Sequence, residues 1–254
     1  MATTYLDLTN EVLRELNEIP LTSANFANAV GFQKFVKDAI NKSIFDIANA
    51  EPQLPFFSAG VSGSTDPFYG NTTVATVAGQ RFYTLKDGSS SITTDFASID
   101  WDDFYITTIN VSGESSPFVS KGLKYLTLAD WRRYYRDSEN SDDADSSHGE
   151  PVYVIKSPDS RKFGLSPIPD KVYNVHFYAF TKPTALDAHG DTMALPEQYS
   201  NVVTARTRYY VWQFKESPQQ AAFALDDYKK GLRSMKSNLM NPTPKYMTDD
   251  RTYF

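Results

Sequence analysis

The sequence predicts an α+β protein: a helical bundle formed by N- and C-terminal helices, with a β-rich domain inserted between them. Three observations predict it. Helix-period apolar stripes lie near both ends of the chain, and the long middle carries short alternating runs rich in Thr, Val, Tyr and Phe. Helices so far apart in sequence each need a partner for their apolar faces, and each other is the economical choice. The boundaries that follow are residues 1–55 and 193–240 for the bundle, 56–192 for the inserted domain with a short helix in it, and 241–254 for an extended tail.

The first helix spans residues 4–18, with Tyr5, Leu8, Val12, Leu16 and Ile19 at three- and four-residue steps and Pro20 as its stop. A second runs from about Phe32 to Ala50. Its stripe includes Phe35, Val36, Ala39, Ile40, Ile44 and Ile47, while Lys34, Lys37, Asp38 and Lys42 lie off it. Glu51-Pro52 and Leu54-Pro55 end it, because a residue before proline avoids the helical region.

Residues 56–71 have loop texture. Strands are expected at 72–78, 80–85, 99–111, 124–126, 152–156, 162–165 and 172–181. In the last, Tyr173, Val175, Phe177 and Ala179 share one face, and Val172, Asn174, His176, Tyr178 and Phe180 the other. Between them, 127–136 reads as a short helix capped by Thr127 with Asp130 three residues on, and 137–150 as an acidic loop.

A third helical region starts at Pro196, with Tyr199, Val202, Val203, Arg206, Tyr209 and Tyr210 near one stripe. A fourth opens on Ser217-Pro218-Gln219-Gln220. Its apolar seam is Ala221, Leu225, Tyr228, Leu232, Met235 and Leu239, in alternating steps of four and three that suit shallow packing against other helices. Asn241-Pro242 and Pro244 forbid continuation, and the tail after them has no period of its own.

Composition narrows the function classes. The 254 residues are 41% hydrophobic and 22% charged, ordinary for a globular chain; most of the 16 Tyr and 17 Phe are read as core, with contact surfaces between copies as the alternative for the excess. A net charge of −6 argues against wrapping onto nucleic acid, although an acidic channel lets DNA pass without sticking. With no cysteine there is neither a disulfide framework nor a thiolate metal site. The opening MATTYLDLTNEV lacks the form of a signal peptide, and no apolar run reaches membrane-span length, so a soluble protein made in a cytoplasm, with no membrane partner, is expected.

Chemistry-bearing residues are sparse. The three histidines, His148, His176 and His189, lack any metal-ligand spacing. Asp137, Glu139, Asp142, Asp143 and Asp145 form an acidic run without the turn glycine and distal Glu of a calcium loop. Asn71 and Asn110 begin glycan-acceptor triplets that are idle without secretion. Arg132, Arg133 and Arg136, with Tyr134 and Tyr135, could touch a phosphate but are better read as a helix face answering the acidic loop. Asp100, Asp102 and Asp103 beside Trp101 are the one cluster that suggests a carbohydrate-active or peptidoglycan-directed enzyme, whose mechanism needs paired carboxylates in a cleft. No catalytic residue, cofactor or metal site is assigned.

Two stretches carry a resemblance. TYLDLTNEVLRELNEIPLTSANFANAVGFQKFVKDAINKSIFDI and ALPEQYSNVVTARTRYYVWQFKESPQQAAFALDDYKKGLRSMKSNLM resemble the two ends of tailed-phage head-to-tail adaptor (connector, neck) proteins of the tail tubular A-like kind. The resemblance implies a structural virion protein of the neck, not an enzyme. It also implies a homo-oligomeric ring of about twelve copies below the portal protein. Such a ring extends the DNA channel, passes the genome without reading it, and docks a downstream tail or nozzle protein. A tail-tube or baseplate component is the alternative within the phage particle. On this reading Leu225, Tyr228, Leu232, Met235 and Leu239 form the helix-bundle seam. Tyr246, Tyr253 and Phe254 in the tail dock on the portal or a neighbouring subunit, since such a segment orders only on a partner.

Overall fold

The computed structural model describes residues 3–58, 72–85, 96–108, 120–136, 148–158 and 162–239. Its helices in chain order are α1 (Tyr5–Glu15), α2 (Gly31–Ala50), α3 (Leu128–Tyr134), α4 (Ser200–Phe214) and α5 (Pro218–Leu239). Its strands are β1 (Thr72–Ala75), β2 (Phe82–Thr84), β3 (Phe96–Thr107), β4 (Ser120–Leu126), β5 (His148–Gly149), β6 (Tyr153–Lys156), β7 (Lys162–Ser166), β8 (Ile168–Pro169) and β9 (Asn174–Thr181). The protein is therefore α+β. It divides into two compact units: one takes the residues up to Phe56 together with those from Pro183 onward, and the other is Phe57–Lys182.

In the helical unit, α2 packs on α1 and α4, and α4 packs on α5. Helix α1 opens with a capping box: Asp7 N–H donates to Thr4 Oγ1 at 3.2 Å, while Thr4 N–H donates to Asp7 Oδ2 at 3.1 Å. It closes earlier than residue 18. Asn17 adopts a left-handed φ of 57°, which Asn tolerates, so the helix ends at Glu15 and Ile19 is 78% exposed beyond it. The loop after α1 is held by Asn10, whose amide donates to the Leu21 carbonyl at 2.9 Å and accepts from Leu21 N–H at 2.7 Å. Helix α2 buries Val36, Ala39, Ile40, Ser43, Ile44, Ile47 and Ala48 along one face. The region from Pro196 begins as a 3-10 turn, Glu197–Tyr199, before α4 proper starts at Ser200.

Helices α4 and α5 approach closely at Gly231, where a Cβ would stand only 3.0 Å from Val202 Cγ2. The buried stripe of α5 is Ala221, Ala224, Tyr228 and Met235. Leu225, Leu232 and Leu239 are half-buried at its margin. Small residues draw the contact face toward Ala224 and Gly231, because they let the two backbones come together.

The strand unit is built on a mixed sheet in the order β1-β9-β3-β4-β6-β7-β2, antiparallel throughout except for the parallel pair β4 and β6. Its two outermost strands, β1 and β2, are joined by residues 76–81 alone. A flat seven-stranded sheet would separate them by roughly 29 Å, beyond the ~25 Å that such a link can span. The sheet therefore curls, and one side of it closes around Phe104, Ile106, Val154, Phe163, Val175 and Phe177, all fully buried. Phe104 stacks on Phe177 with ring centres 5.0 Å apart. The link itself is pinned: the Tyr83 hydroxyl donates to the Gln80 carbonyl at 2.6 Å and accepts from Val77 N–H at 3.1 Å.

The strands are shorter or displaced from their expected bounds. The run at 80–85 yields only Phe82–Thr84, and the strand expected from Ile99 already begins at Phe96. The last strand starts at Asn174 rather than Val172, with Val175, Phe177 and Ala179 buried. A small parallel pair, β5 with β8, occupies residues His148 and Gly149, which read as loop in the sequence. Helix α3 is capped as expected by Thr127, whose Oγ1 accepts from Asp130 N–H at 3.1 Å.

Candidate functional site

The chemistry-bearing clusters resolve into structural roles. Residues 100–103 fall where the pairing of β3 with β9 slips between Ile99 and Phe104, a bulge that inserts extra residues into one strand. There Asp102 N–H donates to Asp100 Oδ1 at 3.1 Å, and Trp101 stacks on Phe104 at 5.4 Å. Desolvation, with the Asp100 charge second, raises the Asp103 carboxyl above its ordinary range. His176 lies between two threonines, Thr73 Oγ1 3.0 Å from Nδ1 and Thr107 Oγ1 2.9 Å from Nε2. His189 is exposed in a turn, and its carbonyl accepts from Leu6 N–H at 3.1 Å. Among the described residues no group of three or more His, Asp or Glu is placed to hold a metal ion. No helix among them is long and apolar enough to cross a membrane. The acidic run Asp137–Asp145 and the tail residues Tyr246, Tyr253 and Phe254 lie outside the described residues.

On α3, Arg132, Arg133 and Tyr134 are exposed, while the Tyr135 ring meets Tyr153 at 5.5 Å. The Arg81 guanidinium lies 4.9 Å from the centre of the Trp131 ring. These contacts seat α3 by its aromatic residues and leave its arginines outward.

Exposed large apolar side chains occur in both units, among them Phe82 and Tyr134 in the strand unit and Phe214 and Phe223 in the helical unit. The centre of the helical unit is polar and tightly connected. Arg206 on α4 donates to Asp46 on α2 at 2.7 Å, and the Tyr210 hydroxyl donates to the same carboxylate. The guanidinium also lies 4.8 Å from the Tyr210 ring and 5.0 Å from the Tyr228 ring on α5, so one side chain joins three helices. Burial, and then the bond to Asp46, pushes the Tyr210 hydroxyl up to about 12. Nearby, Ser43 and Thr207 hydroxyls meet at 3.0 Å across α2 and α4, and Lys236 on α5 pairs with Glu51 at 2.6 Å.

Around the α4–α5 turn this unit turns outward. Phe214, 57% exposed, stacks on Phe35 at 4.5 Å and lies 6.0 Å from Phe32. Lys215 Nζ lies over the Phe32 ring, 4.6 Å from its centre. Gln33 donates to the Ile19 carbonyl at 3.1 Å, which brings exposed Ile19 beside the start of α2, where Val30 is 76% exposed. Exposed apolar side chains that gather into a patch mark interaction surfaces. A second feature is a groove of about 470 Å³ between α4 and α5, lined by Tyr209, Gln213, Pro218, Ala221, Ala222 and Leu225 among others.

The family model of the SU10 adaptor protein matches residues 3–251. The chain belongs to the SU10 adaptor protein family. The match runs through both units, including the strand-rich middle that the two terminal stretches of resemblance did not reach. Its members are structural proteins of phages, and membership identifies this chain as a phage structural adaptor, a component of the virion that works by contact with portal and tail proteins. No curated protein matches the chain.

Sequence patterning names a seam on α5 and passes over the two outward features. Of its five named residues, Tyr228 and Met235 are buried, and Leu225, Leu232 and Leu239 are half-buried. Phe214 and Phe223 went unassigned, although Phe223 stands out in the sequence as an aromatic on the polar side of a clean apolar stripe.

Proposed function

We propose that this adaptor is one subunit of a head-to-tail ring of about twelve copies seated below the portal, lengthening the DNA channel and docking the tail. In this reading the terminal helices are the bundle that forms the ring, and the strand unit is its insertion. What supports the proposal is the exposed Phe214 ring, stacked on half-buried Phe35 with Phe32 beside it, together with exposed Ile19 and Val30 on the same unit, in a chain whose family is one of phage adaptors. A subunit that works alone gains nothing from such a surface, whereas burying it on a partner contributes roughly 25 cal/mol for each Å² removed from water. The net charge of −6 suits a lumen lined by acidic side chains, along which DNA slides without adhering.

The test is to mix purified protein with the cognate portal and image the product. A ring coaxial with the portal is expected, and a protein that stays monomeric and unbound overturns the proposal. A basic lumen in the ring would refute the sliding channel. Tyr246, Tyr253 and Phe254 serve as a docking tail on the portal or the next subunit. Truncation after Asn241 should then weaken portal binding severalfold, and unchanged binding removes the tail from the mechanism.

A further inference from the structure

A closed ring needs a heterologous contact, in which one face of each copy meets a different face of the next. Helix α5 carries a matched pair of such faces. Phe223 is 59% exposed. At about 100° per residue it points roughly 140–160° around the helix from Pro218, Ala221 and Leu225, and about 100° from Ala222. Those four residues form the α5 wall of the groove that Tyr209 and Gln213 close from α4. One flank of α5 therefore offers a large apolar knob, and the other a hollow of about 470 Å³, ample for a phenyl ring.

Height and charge agree with this pairing. Copies in a closed ring are related by rotation alone, so with α5 along the ring axis a knob and its hole must lie at one level. Phe223 and the groove residues Ala222 and Leu225 differ by at most two positions, about 3 Å of helix rise. One turn beyond Phe223, on the same flank, stands exposed Asp227. One turn beyond Leu225, on the groove flank, stands exposed Lys229, with Arg233 another turn on. A neighbour seated by its Phe223 thus brings Asp227 toward Lys229 and Arg233, while Lys230 on the knob flank is already paired with Asp226 at 2.7 Å and, among the described residues, Glu216 is the one acidic residue lining the groove.

We propose that Phe223 of one copy inserts into the α4–α5 groove of the next, with Asp227 facing Lys229, as the head-to-tail contact between subunits. This rests on the ring reading above and specifies its interface. Because the chain has no cysteine, paired substitutions report the contact directly. In assembled particles, the double variant Gln219→Cys/Gln213→Cys, which leaves Phe223 in place and puts one thiol beside the knob and the other on the groove wall, should give a ladder of covalent multimers on denaturing gels after treatment with a short bismaleimide. Either single variant alone should give none, and a mixture of the two singles should give dimers and no higher ladder. Rings that form but yield no ladder overturn this interface and leave the ring standing. Failure of the wild type to form rings overturns both. Dimers from Gln219→Cys alone indicate a two-fold contact and also overturn it. As a second measurement with the cysteine-free chain, Asp227→Lys should lower ring yield at least tenfold, and adding Lys229→Asp should restore most of it. Lack of rescue counts against the pairing.

Discussion

The strand unit closes through its own two ends, whereas the helical unit is closed by partners drawn from opposite ends of the chain. In the strand unit, Ser58 bridges to Phe180, and Thr181 Oγ1 donates to the Phe57 carbonyl at 3.3 Å, so the chain enters and leaves at one place. In the helical unit several ties cross the whole strand unit in sequence. Asn41 donates to the Leu186 carbonyl and accepts from its N–H, both at 2.9 Å, Asp46 holds Arg206, and Glu51 holds Lys236. Closing a loop as long as Phe57–Lys182 costs roughly 4 kcal/mol in chain entropy. A strand unit that forms first, with its ends already side by side, offsets most of that cost before the helices meet. On the ring proposal this order is useful, because the surface that would meet other copies is completed only in a finished subunit.

The comparison breaks most visibly when the chain is cut. Residues 57–182 made alone should melt cooperatively, and residues 1–56 alone should show little helix by circular dichroism, since α1 and α2 lose α4. A chain in which 57–182 is replaced by a short Gly/Ser linker should recover the helical signal. A helical, cooperatively unfolding 1–56 fragment would end the contrast. Within the strand unit, Phe104→Ala removes a fully buried ring stacked on Phe177 and Trp101 and should cost about 4 kcal/mol in urea denaturation.

What was legible in the sequence tracks local periodicity. Helix α2 and the α5 seam are long, strongly periodic segments, and Thr127, Pro196 and Pro218 mark helix starts within a few residues. Strand ends were less legible, because pairing sets them: Phe96 joins β3 only through its register with Thr181 on β9. The end of α1 turned on Asn17 taking a left-handed conformation, a choice that the downstream Pro20 obscures. Arg206 lay on a helical stripe in the sequence, but its role depends on Asp46, a residue 160 positions away, and no local pattern encodes that distance. The candidate interface suffered similarly. Off-stripe aromatics such as Phe223 could have been flagged, but the groove exists only once α4 and α5 are packed.

Arg206→Ala sharpens the contrast from the helical side. The pair with Asp46 is largely shielded, with side-chain exposures of 19% and 26%, so removing the cation strands a carboxylate among tyrosine rings. Complete burial would make this cost several kcal/mol, and the remaining exposure reduces it to about 2 kcal/mol. The loss should appear in the helical unit alone, with the midpoint of the isolated residues 57–182 as an internal reference. Arg206→Lys keeps the charge but not the planar fork over Tyr210 and Tyr228, and should recover less than half of the loss in the same urea titration.

The smallest effect is at the first turn of α1, and its pH dependence identifies the cause. Thr4→Ala should cost about 1 kcal/mol, the usual worth of an N-cap. Hydrogen bonds from Thr4, first its hydroxyl at 2.6 Å and then its N–H, hold the Asp7 carboxyl below its ordinary value of 3.8. A group depressed in the folded state stabilises fully above its unfolded value and loses that contribution as pH falls through its folded value. The gap between wild type and Thr4→Ala should therefore be widest near neutral pH and narrow below about pH 3.8, as Asp7 protonates in both. What remains in acid is the bond from Asp7 N–H to Thr4 Oγ1, which does not titrate. Asp7→Asn should show the complementary pattern, a small loss near neutrality that vanishes in acid. A pH-independent gap for Thr4→Ala would mean that the cap acts through its hydroxyl acceptor alone and that the returning carboxylate contributes nothing.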